Sequence, residues 1–73
     1  MNTETRPVLF LTYSWSPARR PRLPDTATAD VADVSGSLEE ARADKYLSGQ
    51  PCYRVERLPD GSYGNETFME WLP

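Results

Sequence analysis

With no histidine and a single cysteine, Cys52, this chain lacks the side chains that most often carry acid–base, nucleophilic or metal chemistry at neutral pH. A zinc site of the usual Cys/His kind cannot be assembled from one thiol. Carboxylates remain. Asp30 and Asp33 fall at helical spacing, as do Glu40 and Asp44. Such pairs can hold a hard cation or share acid–base work, and they can equally form a solvated face. No stretch supplies the oxygen ligands of an EF-hand loop. Cys52 sits between Pro51 and Tyr53, which offer neither a base nor a cation to make a thiolate. It reads as a small hydrophobe filling a core gap. Gly36, Gly49, Gly61 and Gly64 form no phosphate-binding pattern, and each fits a turn or a cap. Asn65-Glu66-Thr67 matches a glycosylation acceptor only by chance, since no secretory leader precedes it. We therefore expect no enzyme, no cofactor and no metal.

Binding chemistry is better supplied. Asp25, Asp30, Asp33, Glu39, Glu40 and Asp44 face only Arg42 between residues 23 and 44, the most single-signed stretch of the chain. It can imitate the charge spacing of a nucleic-acid backbone and be steered into a basic groove, or it can simply solubilise. Arg19-Arg20-Pro21-Arg22-Leu23-Pro24 holds a P-x-x-P flanked by arginines, which suits an aromatic groove, a phosphate or an acidic partner as well as a stiff solvated loop. The rings of Tyr13, Trp15, Tyr53, Tyr63, Phe68 and Trp71 are either a base-stacking platform or the core, and the mixed charge around them favours the core.

The elements that must position these residues follow from pattern. Pro7 to Trp15 is dense in β-branched and aromatic residues and reads as a strand, its wholly apolar set Leu9, Leu11, Tyr13 and Trp15 turned to the core. Three prolines make 16–24 an extended loop. In 25–34 two readings compete. Ala27, Val31, Val34, Leu38 and Ala41 lie on one helical stripe, but Ser35-Gly36-Ser37 is a natural break, and we prefer a short strand over 28–34. Ser37 to Ser48 is the clearest helix. Ser37 and Glu40 form a capping box, Glu39 and Glu40 sit at the positive end of the dipole with Lys45 near the negative end, and Gly49 and Pro51 stop it. Cys52 to Leu58 is a strand, with Cys52, Arg54, Glu56 and Leu58 on one side and Tyr53, Val55 and Arg57 on the other. Pro59-Asp60-Gly61-Ser62 is a hairpin turn. Tyr63 begins the return strand; Phe68 to Leu72 continues it, or forms a helical turn capped by Asn65. The sum is one α+β domain over 1–73: a small antiparallel sheet of three to four strands with one helix on one face.

At 73 residues and 38% apolar content, the core is small and its margin thin. A lone cysteine excludes an internal disulfide framework. No apolar run approaches the about 20 residues of a membrane span, and Met1-Asn2-Thr3-Glu4 has no basic leader region. The chain reads as a complete, cytoplasmic gene product. A net charge of −3 disfavours direct nucleic-acid binding.

In size, charge and layout over its whole length, the chain resembles the small anti-CRISPR proteins encoded by phages and mobile elements, a group that shares no residue motif. The resemblance implies a monomeric inhibitor in the host bacterial cytoplasm. Its acidic surface would mimic DNA, occupy a basic nucleic-acid-binding groove and block target-DNA binding by a type I surveillance complex. It implicates Asp25, Asp30, Asp33, Glu39, Glu40 and Asp44, with Asp60, Glu66 and Glu70 in support. The other reading is an adaptor or antitoxin-like module bound through exposed aromatic and Arg side chains, anchored by Trp15 or Trp71. A third is a nucleic-acid binder using the Arg19–Arg22 loop.

Overall fold

β-branched and aromatic runs build four strands: β1 (Val8–Tyr13), β2 (Val31–Ser35), β3 (Pro51–Arg57) and β4 (Tyr63–Trp71). The computed structural model describes residues 6–73; Met1-Asn2-Thr3-Glu4, read above for its lack of a basic leader, lies outside the described residues. The strands form one antiparallel sheet in the order β2-β1-β3-β4. A six-residue helix, α1 (Leu38–Ala43), links β2 to β3 and packs against β1 and β2. The shortest dimension, 16 Å, leaves room for one helix layer on one sheet.

The helix chooses the face that the strand pattern did not favour. Residues paired across the ladder share a face: Ser35 with Phe10, Asp33 with Thr12, and Thr12 with Cys52. Ala41, Leu47, Cys52 and Leu72 form the buried cluster there, with Phe10 and Leu38 packed against it. Thr12, Ser35 and Cys52 are small, so together they make a shallow bed into which a helix can settle. The expected inward set Leu9, Leu11, Tyr13 and Trp15 instead points away from α1. Leu9 and Tyr13 are nevertheless buried, because that face packs on itself. Tyr13, Tyr53, Phe68 and Trp71 run in a chain of edge-to-face contacts with centroids 5.2, 5.5 and 5.7 Å apart. Leu11 and Trp15 are only half-buried.

Local chemistry sets the boundaries. The Ser37 hydroxyl accepts from Glu40 N–H at 3.1 Å, as a capping box requires. The returning Glu40 carboxylate takes the N–H of Gly36, one residue before the expected partner. The helix is shorter than 37–48. Asp44 leaves helical geometry, and its carboxylate accepts from Tyr46 N–H at 2.9 Å, starting a separate 3-10 turn over Lys45–Leu47. The basic residue of the last α-helical turn is thus Arg42, not Lys45. Gly49, at φ +82°, closes the segment.

Residues 25–34 divide. Asp25 to Ala29 is a turn held by Asp25, whose carboxylate takes the N–H of Ala27 and whose carbonyl takes those of Thr28 and Ala29, so β2 begins only at Val31. The loop 16–24 is not wholly extended: Pro17–Arg19 is a 3-10 turn, and the Arg20–Pro21 peptide bond is cis. The hairpin turn is as expected, with Gly61 at φ +89°. Phe68 to Trp71 continues the strand, and Asn65 sits within β4 at φ +53° instead of capping a helical turn.

Candidate partner-binding surface

The six acidic residues fall in three places. Asp25 and Asp30 lie beside the Pro/Arg-rich loop, Glu39 and Glu40 lie in the first turn of α1 with Asp44 at its C-terminal end, and Asp33 stands on β2 on the helix side of the sheet. Four of them have local work. Asp25, Glu40 and Asp44 cap backbone N–H groups, and the Asp33 carboxylate accepts from the Ser35 hydroxyl at 2.7 Å. Asp30 and Glu39 are exposed. Among the described residues none of the six forms an ion pair: the two pairs present are Arg42–Glu70 and Arg54–Glu56.

The supporting acids are each engaged. Glu70 meets Arg42 through two hydrogen bonds, one of 2.9 Å from Nε, and this guanidinium holds its carboxyl below the usual range. Asp60 accepts from the Ser62 hydroxyl at 2.6 Å and its N–H at 3.0 Å within the hairpin turn, which lowers its carboxyl likewise. Glu66 accepts from the Tyr13 phenol on the aromatic face. Among the described residues no three His, Cys, Asp or Glu side chains gather into a metal-holding group. Cys52 has no exposed surface, and burial pushes its thiol up, away from the thiolate a nucleophile needs.

The most elaborated surface is the loop that follows β1. Trp15 is tied down twice. Its backbone N–H donates to Gln50 Oε1 at 2.6 Å, and its indole Nε1 donates to the carbonyl of Arg22 at 2.8 Å. The second bond closes the loop on itself and presents a ring face. Over that face lies the Arg19 guanidinium, 4.6 Å from the ring centroid. Arg20 reaches across to the edge strand β4 and lies 4.6 Å over Trp71. Two successive arginines are therefore each laid on a tryptophan. Between the loop and the Asp25–Ala29 turn opens a cleft of about 770 Å³, lined among others by Trp15, Arg19, Arg22, Leu23, Asp25 and Asp30. That is an ordinary size for a ligand site. Arg19, Arg20 and Arg22 are exposed, and among the described residues no carboxylate pairs with them.

The loop and both tryptophans stand out in the sequence, but only the fold joins them. The spacing of Trp15 and Arg19 was a local hint; nothing near Trp71 pointed to Arg20, which only the chain's return across the sheet brings to it. No known family model, curated protein or solved structure matches this chain.

Proposed function

We propose that this chain is a non-catalytic binding module that docks a partner macromolecule through the Arg/Trp loop. The observation carrying this reading is the pair of contacts, Arg19 over Trp15 and Arg20 over Trp71, with neither guanidinium paired to a carboxylate among the described residues. Trp and Arg dominate the energetics of protein interfaces, and prior ordering lowers the entropy lost on docking. The lack of imidazole and the burial of the one thiol support a role without turnover. In a capture experiment from host lysate, the double variant Arg19→Glu, Arg22→Glu should lose the partner that the parent chain retains, at an unchanged circular-dichroism spectrum. Equal capture by both sinks the reading.

A second reading, an acidic inhibitor of the anti-CRISPR kind, draws on the six carboxylates, none of which forms an ion pair among the described residues. Under it, Asp30→Lys with Glu39→Lys, which spares every capping carboxylate, abolishes inhibition of target-DNA binding by a type I surveillance complex. Undiminished inhibition ends that reading.

A further inference from the structure

Resting on the loop reading, we infer that the cleft beside Trp15 receives a short acidic segment of a protein partner, with spaced carboxylates on the arginines and an adjacent apolar side chain against Trp15 and Leu23. A guanidinium stacked on an indole spends its flat face on the ring and keeps its N–H edge available, in plane, for a bidentate oxyanion. The Arg19 guanidinium carbon lies over the Trp15 ring, 4.6 Å from its centroid, and both Arg19 and Arg22 border the cleft without an ion pair among the described residues. The apolar component is equally specific: Leu23 is 42% exposed, and Trp15 is held by hydrogen bonds at both its backbone and its ring.

Charge argues for a peptide over a nucleic acid. Asp25 and Asp30 also border the cleft, and the chain as a whole carries −3. A polyanion with closely spaced phosphates would be pressed against those carboxylates along its length. A peptide can place a carboxylate at each arginine and leave neutral residues beside the two aspartates.

The test uses the full chain and labelled synthetic probes: a short Gly/Ser peptide bearing spaced glutamates and leucines, its counterpart with lysine for glutamate, and single-stranded oligothymidine. The glutamate probe should bind, more weakly as salt is added, while the other two do not. Arg19→Gln with Arg22→Gln should weaken it about tenfold at an unchanged melting temperature. Arg19→Lys, which keeps the charge but gives up the fork, should recover only part of that loss. Equal binding of the lysine probe, preferential binding of the oligonucleotide, or undiminished binding by the double glutamine variant overturns the inference. So does failure of excess glutamate probe to displace a lysate partner whose capture requires Arg19 and Arg22, and in that case the loop reading itself survives.

Discussion

Tyr13 joins the two strand edges of the aromatic face. Its ring packs edge-on to Tyr53 on β3, and its hydroxyl reaches Glu66 on β4. Burial first, and then the Glu66 hydrogen bond and charge, raise its phenol well above its ordinary value; burial does the same at Tyr53. The sign follows directly. In the unfolded chain the phenol ionises near its ordinary value of about 10, while the folded chain still holds the proton. The stability that Tyr13 contributes is therefore complete below about pH 10 and is lost as pH rises toward the folded value. Tyr13→Phe should cost about 1 kcal/mol at neutral pH. It should also flatten the alkaline fall in urea-melt stability without removing it, since Tyr53 remains. Parallel alkaline profiles for the two proteins would contradict this account.

For α1 the chief support is external. Six residues are too few for a helix to hold by propensity, so its stability comes from caps and from the bed of small residues beneath it. Ser37 and Glu40 secure its entry, while Asp44 ends it and begins the 3-10 turn. Ser37→Ala should cost about 1 kcal/mol in chemical denaturation, and Ser37→Asp should restore most of it. The edge strands differ in character. β4 is nine residues long, but it is interrupted by register shifts and by Asn65 at positive φ, features that discourage a further strand from adding there. β2 is only five residues long. Loop and turn, not a sheet edge, thus hold the exposed arginines and the cleft.

For the whole molecule the last strand and its exit close the core. Leu72 is 3% exposed within the cluster beneath α1. Its N–H donates to Gln50 at 2.9 Å, and its carbonyl accepts from Gly49 at 2.8 Å. A domain this small has a total stability at the low end of the about 5–15 kcal/mol typical of folded proteins. Leu72→Ala should cost about 2–4 kcal/mol, a large share of that total. Its thermal transition should fall or broaden markedly, whereas Leu23→Ala, on an exposed loop residue, should leave the transition near the parent value. A Leu72→Ala melt close to the parent's would mean that the core does not depend on this closure.

Much of this was written locally. The α+β layout, the capping serine, the turn at Gly61 and the strand read over Cys52 to Leu58, which runs from Pro51 to Arg57, each depend on neighbours a few residues apart, so the chain spells them out. Which sheet face would carry the helix did not follow from apolar alternation. That choice rests on the fit of Ala41, Leu38 and Leu47 over Thr12, Ser35 and Cys52, which is a matter of shape between distant segments. The pairing of Arg20 with Trp71 is decided at the same level, since side chains so far apart in sequence meet only because the sheet brings the ends of β1 and β4 to the same side, across the start of β3. Composition limited which side chains were available; packing across the sheet determined where the arginines and tryptophans came together.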